Sequence, residues 1–159
     1  ENVKLDNQIS NELVNIEYNS TDSEGNTFYI NAERAIVNLE DQKNNQVRLE
    51  GIVSIIYLKN KGTINIYSNN AIYDKVNHDT LFYNNVKVEY LDNSILAENL
   101  DIKFTKKMSR IYNNVIYKNN NFNLNTDQIL IDMKSGDIKL KMMDEGNKVR
   151  LISKYEFIN

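Results

Sequence analysis

An antiparallel all-β fold, built from stacked two-strand units and bent over into two walls, is what this sequence predicts, and three observations carry the prediction. The first is a repeat. Ile66–Asp74 (IYSNNAIYD) aligns without gaps on Ile30–Asn38, Ile95–Lys103 and Leu124–Asp132, so the copies start at 30, 66, 95 and 124, spaced by 36, 29 and 29 residues. The second half of the unit, Phe82–Val86 (FYNNV), recurs 29 residues on as Ile111–Val115 and more loosely as Leu49–Val53. A fixed period of this size marks supersecondary units that bury a face only against their neighbours. The second observation is a phase shift inside each unit. Apolar or small residues fall at 66, 68, then 71, 73, and likewise at 30, 32, 35, 37 and at 95, 97, 100, 102. The period of two breaks once, at the polar pair after the small residue, as a β-bulge or a corner requires. A break at the same place in each copy predicts a sheet bent at one shared level. The third observation is punctuation: turn-type clusters every 8 to 15 residues separate β-branched and aromatic alternating runs.

In chain order, residues 1–13 are expected to be a poorly ordered lead-in, a helix through Ile9, Leu13 and Ile16 being the alternative, and residues 14–159 a single domain. Val14–Tyr18 alternates and opens the first strand. Thr21–Asn26 is a turn in which Gly25 supplies a positive φ. Later turns are expected at Asp41–Gln46, Asn60–Gly62, Lys75–Asp79, Asp92–Asn93, Lys106–Ser109, Asn119–Asn121, Ser135–Asp137 and Asp144–Asn147. No amphipathic helix is predicted. The alternation assigns an inward face to Ile30, Ala32, Ala35 and Val37, to Val47, Leu49, Val53 and Ile55, and to Ile64, Ile66, Ala71 and Tyr73. Phe82, Val86 and Val88 continue it, then Ile95, Ala97, Leu100, Ile102 and Phe104, then Ile111, Val115 and Tyr117, and finally Leu124, Ile129 and Ile131. Periodicity alone leaves open whether this face is a sealed core or in part an open groove.

Composition narrows the chemistry. The formal net charge is −3, with 19 basic and 22 acidic residues, and a nucleic-acid binder would carry a basic stripe. The chain has no cysteine, which removes disulfides, thiolate metal sites and a Cys nucleophile. Its one histidine, His78, sits between Asn77 and Asp79 in a turn and is expected to be solvated. Asp22 with Glu24, and Asp74 with Asp79, lack the ligand density of a calcium loop. Asp127 and Asp132 cannot be argued to form a glycosidase-like pair. Lys103, Lys106, Lys107 and Arg110 surround a turn, where a solvated hairpin end outweighs an anion site. No enzymatic activity and no cofactor or metal are expected, so a binding or conduit role is the stronger reading. No apolar run is long enough to span a membrane. A chain that opens on Glu1 reads as a processed or truncated form, from which an N-terminal anchor is expected to be missing.

Tyr18–Ala32 (YNSTDSEGNTFYINA) resembles the Tyr…Glu-Gly…Tyr-x-aliphatic-x-Ala opening of the LptC family, the periplasmic component of lipopolysaccharide export. The repeats resemble those of LptA and the OstA-type domains, in which a small-residue strand is followed by a turn and an aliphatic-x-(Gly/Asn)-Asn-Val strand. Val149–Phe157 (VRLISKYEF) is similar to the family's closing strand. Asn84 and Asn113 depart from the pattern by standing where glycine is common, a change that a left-handed site tolerates.

The resemblance implies an antiparallel β-jellyroll folded over as an open β-taco. It implies a periplasmic protein, anchored to the inner membrane in its full-length form, that takes lipopolysaccharide from the inner-membrane ABC transporter and passes it to LptA along an apolar groove for outer membrane biogenesis. The groove would be lined by Ile30, Ala32, Ile64, Ile66, Ala71, Tyr73, Phe82, Val86, Val88, Ile95, Ala97, Ile102, Phe104, Val115, Leu124, Ile129 and Ile131. Partner edges would lie at Val14, Ile16 and Tyr18 for the transporter and at Val149, Leu151, Tyr155 and Phe157 for LptA. An LptA-like soluble bridge, and a structural or carbohydrate-binding β-protein without lipid, are the alternatives.

Overall fold

The structure, a computed structural model, describes residues 11–142, 146 and 148–153. Ten strands follow one another: β1 (Asn11–Thr21), β2 (Thr27–Val37), β3 (Gln46–Leu58), β4 (Gly62–Asp74), β5 (Thr80–Tyr90), β6 (Asn93–Lys103), β7 (Met108–Lys118), β8 (Phe122–Asp132), β9 (Ile138–Lys141) and β10 (Arg150–Ser153). Each of β1 to β8 pairs antiparallel with the next, so the sheet is a meander that does not close on itself. The far edge of β8 is shared: β9 pairs its second half and β10 its first. The fold is therefore all-β and open. β1 begins three residues ahead of the expected Val14, because Leu13 finds Ala35 as its cross-strand partner.

One helical turn, α1 (Leu39–Lys43), interrupts the strands where only a turn was expected. Asn38 caps it by accepting from the Asp41 amide at 2.7 Å, and the buried Asp41 carboxylate binds Arg48 at 2.8 Å. A five-residue helix has no room for an apolar stripe, so periodicity could not reveal it.

The 29-residue period becomes rungs across the sheet. Tyr18, Ile30, Ser54, Ile66, Val88, Ile95, Tyr117, Leu124 and Leu151 are successive cross-strand partners at one level. A second rung, Leu13, Ala35, Leu49, Ala71, Phe82, Leu100, Ile111, Ile129 and Leu140, is apolar from edge to edge. Between the two rungs runs the predicted phase shift. Register breaks occur at Tyr67/Asn70, Tyr83/Val86, Leu96/Asn99 and Tyr112/Val115. The bend is made by left-handed residues on the odd-numbered strands: Asn15, Gly51, Asn84 with Asn85, and Asn113 with Asn114. Asparagine and glycine adopt that conformation at least cost. Opposite them stand Glu33, Asn69, Glu98 and Asp127, so a polar ridge crosses the outside of the corner.

One inward assignment is corrected. On β3 the buried residues after the bend are Ile52 and Ser54, at 2% and 0% exposure, whereas Val53 is 41% exposed and Ile55 points the other way. Gly51 alone turns this corner, with no register shift in either ladder of β3, where β5 and β7 use two asparagines and a bulge. The phase break is one residue shorter, and the next inward position is Ile52. Ser54 is accommodated at the buried level because its Oγ donates to the Tyr29 carbonyl at 2.6 Å.

The sheet also coils. Strands three apart in a flat sheet would be about 14 Å distant. Yet Tyr18 of β1 and Tyr73 of β4 have ring centroids 4.6 Å apart. Phe28 at the start of β2 and Phe104 after the end of β6, at opposite ends of a flat meander, stack at 6.0 Å. Accumulated right-handed twist, sharpened by the bulges, lays the first hairpin across the opposite end of β4–β6. Two facing walls result, with the core between them.

Candidate functional site

The interior between the walls has two parts. Around β2 to β5 it is sealed: Ile30, Ala35, Ala71 and Phe82 have no exposed surface, and Ile66 and Val86 have 1%, as does Val115 on β7. Ala32, Tyr73, Ile102, Leu124 and Ile129 are also buried. Toward the open edge the packing loosens. Ile64, Val88, Ile95, Ala97, Phe104 and Ile131 are half-buried at the margin of the core.

At that margin lies a groove of about 280 Å³ between β6, β7, β8 and β9. Ile95, Leu124, Ile129 and Ile131 form its floor, with Tyr117 and Phe122 at one end and Ile138 and Leu140 as its outer lip. Seven of these eight side chains are purely hydrocarbon. The Tyr117 hydroxyl is turned aside to Asn93 and Asn119, and its ring tilts against Phe122 at 5.6 Å. Ile138 and Leu140 are 64% and 42% exposed, an unusual state for two aliphatics on the same strand face, and among the described residues no strand faces them. Such a trough can take apolar chains and offers nothing to hold a charged or strongly polar group.

Of the residues assigned to the groove from the sequence, the structure brings Ile95, Leu124, Ile129 and Ile131 together on its floor and places most of the others in the sealed interior. Phe122, Ile138 and Leu140 were not assigned to it, and Tyr117 only to the inward face. Ile138-Lys139-Leu140-Lys141 alternates, which is the signal that would have found the lip. Of the edge residues, Val14 is 64% exposed on β1, Ile16 and Tyr18 are half-buried, and Val149 is half-buried. Leu151 pairs with Leu124 across the β8–β10 ladder. Tyr155 and Phe157 lie outside the described residues.

Several charged groups are engaged in turns and ion pairs. Asp22 accepts from the backbone amides of Glu24 and Asn26, both at 2.9 Å, and from the Asn26 side chain at 2.8 Å. Burial works to raise its carboxyl, but those hydrogen bonds and the Lys107 charge outweigh it and hold the group below the usual aspartate value. Asp74 accepts from the amides of Val76 and Asn77, and Asp79 from that of Phe104. Lys103 pairs with Asp79 and Asp101, and the Arg110 guanidinium lies 4.1 Å over the Tyr112 ring.

His78 departs from expectation. It is half-buried in a left-handed turn position, its Nδ1 is 2.6 Å from the Tyr73 hydroxyl, and Phe104 meets its ring edge-on. The β4–β5 hairpin brings Tyr73 beside His78, and the β5–β6 register, with Thr80 opposite Ile102, carries Phe104 past the same turn, where its amide donates to Asp79. Tyr73 in turn has its phenol pushed up, by burial first and then by Tyr18 and Asp74.

The family described as "Lipopolysaccharide-assembly, LptC-related" matches residues 1–144. No curated protein matches the chain. Among solved structures, LptH from Pseudomonas aeruginosa, described as the LptA-homologous periplasmic component of the lipopolysaccharide transport device, is similar at 6% identity. That similarity covers 91% of this chain and 94% of LptH, with a TM-score of 0.34. The opening motif, the period and the bulged open sheet agree with a family match over nine-tenths of the sequence: the chain belongs to the LptC-related family of lipopolysaccharide assembly.

Proposed function

We propose that this protein is a periplasmic, non-enzymatic carrier that shields the acyl chains of lipopolysaccharide in the groove at β6–β9. Family membership supports a role in lipopolysaccharide transport, and the groove supports the acyl part of that role. The observation that carries it is the exposure of Ile138 and Leu140 beside an all-apolar floor. Each CH₂ removed from water contributes about 0.8 kcal/mol, so even a short acyl segment would be held usefully, while sugars and phosphates stay in solvent beyond the lip. Among the inward positions proposed from the sequence, Ile95, Leu124, Ile129 and Ile131 are the ones that would touch lipid. The sealed ones would support the wall.

In this reading the inner-membrane ABC transporter delivers the lipid, and its periplasmic domain docks on the β1 edge at Val14, Ile16 and Tyr18. LptA receives the lipid at the β10 end, through Val149, Leu151 and the residues that follow. A membrane anchor preceding Glu1 would hold the domain at the inner membrane. Unpaired edge strands suit such docking, because a partner strand can extend the sheet.

The test is site-specific photo-crosslinking. A crosslinking residue at Ile95 or Leu140 is expected to capture lipopolysaccharide in a manner dependent on ATP hydrolysis by the transporter, and one at the outward Asn99 or Lys103 is not. Equal capture at both sets would sink the groove reading. Deletion after Gly146 is expected to abolish LptA pull-down while leaving transporter binding intact; loss of the transporter instead would reverse the edge assignment.

A further inference from the structure

The two walls are joined at the seam by side chains alone. Every strand ladder in the described residues runs between β1 to β8 in sequence or from β8 to β9 and β10, so no backbone ladder ties the first hairpin to the wall it crosses. Among the described residues one cation makes the ion pairs that cross the seam. Lys107 Nζ lies 2.8 Å from Glu24 Oε1 and 3.5 Å from Asp22 Oδ2, linking the β6–β7 turn to the β1–β2 turn.

Both sides are built to hold that contact. Lys107 is itself left-handed at φ 53, and its backbone is tied at both ends, the amide to the Phe104 carbonyl and the carbonyl to the Met133 amide. Asp22 is fixed by its three hydrogen bonds within the turn. The rings of Phe28 and Phe104, at 6.0 Å, and of Tyr18 and Tyr73, at 4.6 Å, also meet across the seam, contacts with no directional bond to break. A seam closed by one ion group and two ring contacts parts more readily than the hydrogen-bonded strand ladders on either side.

We propose that Lys107 with Asp22 and Glu24 is a releasable clasp, and that parting it swings the first hairpin away from the β4–β7 wall and opens the interior sideways. Resting on the acyl-chain reading, this gives the lipid an entrance along the seam besides the groove at the other edge. A neighbouring carboxylate or cation brought by a docked protein could compete for the clasp, so docking and opening would be linked. Opening would expose Phe28, Phe104 and the Tyr18–Tyr73 pair to an entering acyl chain.

The absence of native cysteine makes the test clean. Spin labels on cysteines introduced at the exposed Ser23 and Lys106, one on each side of the seam, report its width as a distance distribution. Uptake of the fluorescent fatty acid cis-parinaric acid reports access. Lys107→Glu is expected to lengthen and broaden the distribution and to raise the uptake rate several-fold, with the equilibrium binding amplitude kept. The double variant Glu24→Lys/Lys107→Glu, which restores the pair with its charges exchanged and leaves the Asp22 turn intact, is expected to return both towards wild type. Circular dichroism and the melting temperature identify a variant that has merely unfolded, and in that case Lys107→Gln, which removes the attraction without adding repulsion, is expected to show the same widening. An unchanged distance in Lys107→Gln, or no recovery in the exchanged pair, overturns the clasp. Absence of any cis-parinaric acid binding to the wild type overturns the groove reading instead, while the distances still judge the clasp.

Discussion

Gly51 is the residue on which the corner of β3 turns. Its φ is +64, and a Cβ there would meet the Glu33 carboxylate carbon at 2.6 Å. Left-handed backbone costs a non-glycine residue about 1–2 kcal/mol. Gly51→Ala should therefore lower the unfolding free energy in urea by about that much. Adding Glu33→Ala should return only the part due to crowding, since the long Glu33 side chain can swing aside while φ cannot. Equal effects of Gly51→Ala with and without Glu33 would mean that crowding contributes nothing. Asn113, also left-handed at φ 65, is the converse case. Asn113→Gly should be neutral or stabilising by under about 1 kcal/mol, and Asn113→Val destabilising by a similar or larger amount.

Asp22 adds a pH dependence whose sign is set by its lowered carboxyl. The folded state holds the ionised form more tightly than the unfolded chain does, so the stabilisation is full above the ordinary aspartate value of about 3.9 and is lost as pH falls through the folded value. Lys107, raised by its hydrogen bond to Glu24 against the opposing effect of burial, keeps its contribution until the pH climbs past the ordinary lysine value of 10.5. The melting-temperature difference between wild type and Asp22→Asn should thus shrink as pH is lowered below 4, and a constant difference would deny the carboxylate its part.

Among the elements, β5 and β9 show how differently the same alternation can be used. Phe82 on β5 is wholly enclosed, and Phe82→Ala should cost about 3–5 kcal/mol in chemical denaturation. Leu140 on β9 faces the same level of the sheet, two-fifths exposed. Leu140→Ser should cost well under half as much stability and yet weaken acyl-probe binding, the combination that separates a groove lip from a core residue. Sequence alone located the bend, because the broken alternation at 68/71 and 97/100 is a property of each strand by itself. It also foresaw the rung through Ile66, Ile95 and Leu124, because a constant period forces constant register. It could not place Ile52, since whether a corner uses one left-handed residue or two changes the phase of the strand that follows, and the alternation before it does not say which. Nor could it separate lip from core, because Ile138 and Ile102 look alike until one knows which strand lacks a facing wall. The environment of His78 depends on the β4–β5 hairpin and on the β5–β6 register that sets Phe104 beside it, and polar alternation in the turn gives no sign of either.

For the whole molecule, the order of the sheet predicts a gradient of stability. Each strand gains its ladder from sequence neighbours, as in a repeat protein, where stability is close to a sum of unit and nearest-neighbour terms. Were that all, both edges would fray equally. The coil breaks the symmetry, because β1 and β2 are held a second time by Tyr18–Tyr73, Phe28–Phe104 and the Lys107 clasp, whereas β9 and β10 are four-residue strands that among the described residues pair with β8 alone. Native-state hydrogen exchange should then find the slowest amides in β2 to β6, intermediate ones in β7 and β8, and the fastest ladder amides in β9 and β10. A Lys107→Glu variant should speed exchange in β1 and leave β9 unchanged, which ties the gradient to the coil rather than to strand length. Equal protection at both edges would show that the facing walls add nothing to the ladders. The low-stability edge is also the one that carries the groove lip, so strands β9 and β10 can rearrange around a lipid or a partner strand at small cost while the enclosed half of the sheet keeps the corner and its register.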